Sequence, residues 1–211
     1  MASGRPTHFL SLRLDSAAFP NHPALAHHLV PQNSHHITVL LLTLTPGNLA
    51  SALNCLEACA QSVIPKHFPA PTTLDLNIKG IGTFGNGKVV WAKVIEDVDK
   101  KLTRFAEDVQ ALFADYGLLQ GRYDFRPHAT LMKIGGSRSA SASGNSRGQG
   151  RGGMGGRGNQ IAYSSSAVDK IDAQVYLPFS QFDFGVHTVG KLELSAMGKM
   201  AEDGYYTCKK A

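Results

Sequence analysis

The chain has 211 residues, of which 43% are apolar, and a formal net charge of +5. This length suits one domain or two closely packed lobes with a sizeable core, and the mild basicity favours an anionic partner without requiring one. No secretion signal is recognisable, and the longest apolar run, Ile37–Leu44, is far below the ~20 residues of a membrane helix. Three cysteines without a Cys-x-x-Cys pair indicate reduced thiols in the cytosol or nucleus and argue against a zinc site.

Alternating or β-branched apolar residues predict eight strands along the chain. They are Phe9–Leu14, His35–Leu44, Leu74–Ile78, Val89–Ile95, Phe125–Ile134, Phe182–Val186, Lys191–Met197 and Tyr205–Lys209. A glycine cluster that begins at Gly80 predicts a tight turn between the third and fourth of these strands.

Three helices are expected between the strands. A short one is predicted around Ala24–Leu29, and a second follows Thr45, which would cap it and leave Pro46 at its first helical position. The clearest helix spans Asp99–Tyr116, where apolar residues recur on one face and Gly117 provides a C-terminal stop. Strands and helices in this order indicate an α+β fold.

The segment from Gly135 to Asn159 consists almost wholly of Gly, Ser, Arg, Ala and Asn. It cannot bury enough apolar surface to order itself, so we interpret it as a disordered insertion within one domain that spans residues 6–209. Its arginines, spaced by glycine, are compatible with RNA binding or methylation, and equally with a flexible linker whose charge is incidental.

Two His-x-Thr motifs, His36-Ile37-Thr38 and His128-Ala129-Thr130, lie in segments predicted independently as strands. Chance would produce roughly 0.2 copies of His-x-Thr followed by an apolar residue in a chain of this composition. Two copies therefore indicate a paired site. The alternative, that each histidine is a hydrogen-bonded core residue, fits an isolated motif better than a pair.

Side chains alternate along a strand, so the histidine and the threonine of each motif share one face. One imidazole can act as a general base on an attacking oxygen and the other as a general acid on a leaving oxygen. The hydroxyls of Thr38 and Thr130 can hydrogen-bond the non-bridging oxygens of a phosphate. No metal and no cofactor are required. His35 is predicted to point to the opposite face from His36 and to be dispensable for the chemistry.

These segments resemble the two signature strands of the 2H phosphoesterase superfamily. The resemblance is carried by Ser34-His-His-Ile-Thr-Val-Leu-Leu and Phe125-Arg-Pro-His-Ala-Thr-Leu-Met-Lys. The glycine cluster, the opening Thr7-His-Phe-Leu-Ser-Leu and the closing Gly204-Tyr-Tyr-Thr-Cys resemble the nucleotide-binding domain of A-kinase anchor proteins of the gamma/delta type. The resemblance covers the chain from about Pro6 to Lys209, apart from the insertion.

The resemblance implies a bilobal fold with a central cleft between two antiparallel sheets and helices outside. It also implies metal-independent cleavage of 2′,5′-linked oligoadenylates, opening of 2′,3′-cyclic phosphates or trimming of RNA ends, with His36, Thr38, His128 and Thr130 as the catalytic positions. The insertion after the second motif departs from the family pattern. No amphipathic kinase-anchoring helix follows Ala211, so kinase anchoring is not expected. A cytoplasmic or nuclear monomer is the default expectation.

Three further residues are candidates for nucleotide binding. Phe84, which the pattern puts at the tip of the glycine turn, offers a face for base stacking or packs on the core. Gly82 allows close backbone approach to a ligand or simply serves the turn. Arg126 shares the face of His128 if the strand is regular there, and otherwise is a solvated side chain. Lys133 falls on the opposite face unless a bulge intervenes.

Three functional hypotheses follow from the sequence. The first is a metal-independent phosphodiesterase that acts on RNA or an oligonucleotide. The second is a module of the same fold that binds an AMP-like nucleotide or an RNA end without turnover. The third is a scaffold that associates with RNA through the Arg/Gly tract.

Overall fold

A computed structural model describes residues 5–14, 29–119, 123–134 and 170–211. Within these ranges, eight strands form one sheet in which every neighbouring pair is antiparallel. They are β1 (His8–Arg13), β2 (His36–Leu42), β3 (Leu74–Phe84), β4 (Val89–Ile95), β5 (His128–Lys133), β6 (Asp183–Val189), β7 (Leu192–Met200) and β8 (Tyr206–Lys210). Their order across the sheet is β6-β3-β4-β5-β2-β1-β7-β8. The prediction of an α+β fold is confirmed.

The expectation of two separate sheets is not confirmed. Ile37 on β2 pairs with Ala129 on β5, and this pairing joins the two halves into one continuous sheet. Each half repeats the same arrangement outward from the centre, β2-β1-β7-β8 on one side and β5-β4-β3-β6 on the other. The two motif strands are therefore the innermost strands of the two halves.

The helices lie mainly between β2 and β3 and between β4 and β5. They are α1 (Leu49–Ala58), which continues through a π-helical turn (Cys59–Val63) into α2 (Ile64–His67), then α3 (Lys101–Asp115) and the short α4 (Ala173–Tyr176). The apolar stripe predicted for α3 is buried at Leu102, Phe105, Ala106, Val109 and Phe113. No helix in the described part of the chain is long and apolar enough to cross a membrane.

Two local predictions were wrong. The helix predicted to follow Thr45 is α1, and it begins at Leu49 instead of Pro46, because Oδ1 of Asn48 accepts a hydrogen bond of 2.6 Å from the main-chain N–H of Thr45 and closes a turn before the helix. The glycine cluster is mostly strand, since β3 continues to Phe84 and the turn occupies only the residues between β3 and β4. The helix predicted around Ala24–Leu29 falls largely, and the Gly135–Asn159 insertion wholly, outside the described residues.

Both motif strands contain a bulge directly after the threonine. On β2 the register with β1 shifts after Thr38, so Val39 and Leu40 are both buried. On β5 the register with β4 shifts after Thr130, and Leu131 and Met132 are both buried. A bulge adds one residue to a strand and reverses the faces of the residues that follow. This reversal decides which later side chains lie beside the motifs.

Candidate two-histidine site

The two motifs lie side by side at the centre of the sheet. Because Ile37 faces Ala129 in antiparallel register, His36 is placed across from Thr130, and Thr38 across from His128. The two middle residues are fully buried in the core, whereas the histidines and threonines are half-buried on the opposite face. The structure thus brings all four predicted catalytic residues together on one face.

The histidines are held by matching hydrogen bonds. Nδ1 of His36 lies 2.8 Å from the main-chain oxygen of Ser34, and Nδ1 of His128 lies 2.6 Å from that of Arg126. A carbonyl oxygen only accepts, so Nδ1 must carry the proton in both rings. Each neutral ring then has its lone pair on Nε2, and no described residue forms a hydrogen bond to either Nε2 atom. Both rings are therefore fixed in the tautomer that leaves Nε2 available for proton transfer.

Burial, with a smaller contribution from the nearby charge of His128, lowers the pKa of His36 to about 4, although the hydrogen bond to Ser34 opposes the shift. His36 is therefore neutral around pH 7, and its Nε2 atom is able to accept a proton. The hydroxyls of Thr38 and Thr130 form no hydrogen bond with any described residue, so both can donate to a ligand.

Aromatic rings surround both histidines. The ring of His36 lies 4.9 Å from Phe9, 5.6 Å from Tyr206 and 6.1 Å from Tyr205, measured between centroids. Both tyrosines therefore lie beside the site. They differ in exposure, since Tyr205 is buried and its hydroxyl lies 3.0 Å from that of Ser11, whereas Tyr206 is half-buried.

His128 lies against a stacked aromatic pair. The rings of Phe84 and Trp91 are 4.9 Å apart at 25°, and His128 meets them edge-on at 5.0 and 5.7 Å. Phe84 is the last residue of β3 and not the tip of a turn. Sequence reasoning missed Trp91, because its position depends on pairing with Gly82 on one side and Thr130 on the other. A lone tryptophan in a predicted strand was the available signal.

Gly82 is required by packing within the sheet. A Cβ atom on Gly82 would lie 2.7 Å from Cε2 of Trp91 and closer still to Cζ2. The indole therefore rests directly on the backbone of β3. Gly82 is therefore a strand residue and not a turn residue, and its lack of a side chain makes room for the indole of the aromatic pair.

The structure does not bring the Arg126 side chain to the site in the predicted way. β5 begins at His128, so the alternation that would put Arg126 on the same face does not extend back to it. Its exposed guanidinium pairs with Asp124 at 2.8 Å, and its main-chain carbonyl is the part that contacts His128.

Lys133 and Lys93 lie on the same face of the sheet as the motifs. Strand alternation had put Lys133 on the opposite face unless a bulge intervened, and Lys93 was not predicted. After the bulge, Lys133 pairs with Val89, which alternates with Trp91 and so faces the same side. Lys93 is paired with His128 on the neighbouring strand. Both lysines are exposed. In the described residues, no group of three His, Cys, Asp or Glu side chains is arranged to hold a metal ion.

The chain carries a 2′5′ RNA ligase-like domain, and the predicted resemblance to the 2H phosphoesterase superfamily is confirmed. More narrowly, the family model of the AKAP7 2′5′ RNA ligase-like domain matches residues 6–211, and the chain belongs to this family. It is 28% identical over 206 residues to human A-kinase anchor protein 7 isoform gamma. The match covers 94% of the chain and 51% of that relative, so the chain spans about half the length of the curated relative.

Solved structures share the fold at low identity. A crystal structure of E. coli LigT with 3′-AMP matches with a TM-score of 0.53 and 16% identity, covering 97% of this chain and 95% of that one. The protein TT0787 of Thermus thermophilus matches with a TM-score of 0.52 and 17% identity over the same shares. A further crystal structure, described as that of a phosphoesterase, matches with a TM-score of 0.54 and 16% identity. These likenesses establish a common architecture.

Proposed function

We propose that the chain is a metal-independent phosphodiesterase that acts on RNA or an oligonucleotide at a 2′,5′ linkage or a 2′,3′-cyclic phosphate. The observation that carries the proposal is the matched hydrogen bonding of His36 and His128. Each ring is locked with its Nε2 atom available, and the two rings lie on one face of adjoining strands. A pair of this kind suits a reaction in which one proton is removed and another is delivered.

The residues suggest a division of roles. His36 is neutral near pH 7 and takes the proton of the attacking hydroxyl, which is a neighbouring ribose hydroxyl for a 2′,5′ bond and water for a cyclic phosphate. The attacking oxygen forms its bond to phosphorus as the bond to the leaving oxygen breaks. Protonated His128 delivers a proton from Nε2 to that oxygen. The hydroxyls of Thr38 and Thr130 stabilise the developing charge on the non-bridging oxygens.

The surroundings of His128 suit a nucleotide. The Phe84–Trp91 pair offers a stacking surface for a base, a contact that contributes about 1–3 kcal/mol in single-stranded nucleic-acid complexes. Lys133 and Lys93 on the same face favour phosphate electrostatically. The structures of E. coli LigT with 3′-AMP and with NADP+ show that a protein of this fold accommodates nucleotides, which supports the proposal.

The test is cleavage of 2′,5′-oligoadenylate and of a 2′,3′-cyclic nucleotide in the presence of EDTA. The wild type is compared with His36→Ala, His128→Ala and the matched control His8→Ala, which removes a histidine of β1 outside the motifs. The proposal expects turnover in the wild type and the control and loss of at least about 100-fold in each site variant. Turnover that requires added metal, or that survives both site substitutions in a folded protein, would overturn it.

A nucleotide-binding module is the second candidate. The observation that favours it is the pKa of His36 near 4, because a base so weak gives little driving force for proton removal. Absence of turnover on either substrate, together with AMP binding that is weakened by His36→Ala, would identify the chain as this module.

A further inference from the structure

The junction between the two motif strands is short. Between the described residues of β2 and β5, one register pair, Ile37 with Ala129, forms the ladder. By contrast, β1 pairs with β2 and β4 pairs with β5 along most of their lengths. The separation of the two histidines is therefore weakly fixed by main-chain pairing. The main-chain N–H of Val30, ahead of β2, adds a hydrogen bond of 2.8 Å to the carbonyl of Leu131, which lies beyond the second motif on β5. A contact at the level of the motifs themselves would fix their distance more directly.

His35 provides such a contact. It is 3% exposed, on the core side of the sheet, and its Nδ1 atom lies 3.1 Å from the main-chain oxygen of Thr130. Its own carbonyl accepts a hydrogen bond of 3.1 Å from the main-chain N–H of Leu14. His35 therefore connects the extension of β1 with the second motif, and it immediately precedes the first catalytic histidine in the chain.

We infer that His35 is a positioning residue, which sets the distance between the two motifs through its hydrogen bond to the carbonyl of Thr130. This inference rests on the proposed phosphodiesterase function. The ring of His35 is 3% exposed and does not contact the substrate. As a positioning residue, however, His35 is not dispensable for the chemistry, contrary to the expectation from the sequence. A shift of about 1 Å between catalytic groups can cost 100-fold in rate, so a contact that fixes their spacing acts on the chemical step.

The chemistry of the ring fits this role. Burial, with smaller contributions from the charges of His36 and His187, lowers the pKa of His35 to about 4, although its hydrogen bond to Thr130 opposes the shift. The ring therefore stays neutral at neutral pH. Since the carbonyl of Thr130 only accepts, Nδ1 carries the proton and donates it. A buried donor of this kind is costly to remove, because the carbonyl would then lose its partner.

Three substitutions test the inference in the full chain. The amide nitrogen of His35→Asn can occupy the position of Nδ1, that of His35→Gln reaches further along the side chain, and His35→Leu has no donor. We expect kcat to fall about 100-fold in His35→Leu with KM changed less than about twofold, as for a defect of geometry alone. His35→Asn should recover most of the rate, and His35→Gln should recover less.

The Asn and Gln pair keeps the test valid if His35→Leu fails to fold, because both are polar and differ mainly in where the donor lies. A kcat for His35→Gln equal to that for His35→Asn, or a wild-type kcat for a folded His35→Leu, would overturn the inference. If the wild type cleaves neither substrate, the proposed function has failed on its own. NMR then tests the hydrogen bond between His35 and Thr130 directly, through a scalar coupling between Nδ1 of His35 and the carbonyl carbon of Thr130. A second readout is the His128 ring signals, which should shift in His35→Gln but not in His35→Asn. Absence of both the coupling and the shift would overturn the inference that His35 positions the motifs.

Discussion

The indole of Trp91 lies flat on the backbone of Gly82, with no room for a side chain between them. This contact fixes the height of the indole above the sheet, and Phe84 stacks on it at 4.9 Å. Both rings then meet His128 edge-on. A glycine on one strand thus determines the surroundings of a motif histidine two strands away.

Gly82→Ala should therefore destabilise the fold by about 1–3 kcal/mol, because the new methyl group forces the indole off its position. The free energy of unfolding in urea measures the effect. Gly190→Ala is the matched control, since a Cβ there meets nothing within 4 Å, and it should leave stability unchanged or slightly raised. Equal stability of the two variants would show that the indole does not depend on Gly82.

Stability should fall as the pH is lowered from about 6.5 to about 4. In the folded chain burial holds the pKa of His35 and of His36 near 4, against 6.5 when exposed. Within this window the unfolded chain binds protons that the folded chain does not, so protonation favours unfolding. The stabilisation is complete above pH 6.5. Between pH 7 and pH 5 the loss should be about 1–2 kcal/mol for each histidine.

Urea unfolding at pH 7 and pH 5 measures this loss. His36→Phe is the control, because a phenyl ring fits among the aromatic neighbours and cannot bind a proton. Its loss of stability between the two pH values should be smaller than that of the wild type. The same pH dependence in both proteins would contradict the assignment to His36.

The four motif residues were predictable from sequence because strand alternation is strictly local. A period of two places His36 with Thr38 and His128 with Thr130 on one face, whatever the rest of the fold. The same rule failed beyond Thr130, because the bulge at Leu131 and Met132 reverses the faces. Nothing in a single sequence distinguishes a bulge from two successive buried residues.

The aromatic surroundings and the single sheet were not predictable for a different reason. Both depend on which strands become neighbours, and in what register, between segments far apart in the chain. Trp91 reaches the site because β4 lies between β3 and β5. The continuity of the sheet depends on one pairing, Ile37 with Ala129. Local hydrophobic patterns carry no information on such long-range registers.

If the aromatic pair stacks a base, Phe84→Leu should weaken nucleotide binding. Base stacking contributes about 1–3 kcal/mol, so the Kd for AMP or a short oligonucleotide should rise about 5- to 150-fold. Calorimetric titration measures it directly and separates binding from turnover. Phe182→Leu, the same substitution in a phenylalanine of the loop before β6, should leave Kd unchanged. A comparable loss in both variants would indicate general destabilisation instead of a lost stacking contact.

The bulge after Thr130 places Lys133 on the face of the motifs, whereas simple alternation along the strand would place it on the opposite face. Lys133 lies on the site face and is exposed, whereas the guanidinium of Arg126 is paired with Asp124. Lys133→Gln should lower kcat/KM about tenfold and reduce its sensitivity to salt, because it removes a cation that attracts the phosphate. Arg126→Gln, which removes the same charge from the neighbouring loop, should change kcat/KM less than about twofold. The measurement is kcat/KM of both variants and the wild type at about 50 and 300 mM salt. A larger loss in Arg126→Gln than in Lys133→Gln would mean that the phosphate approaches from the side of Arg126.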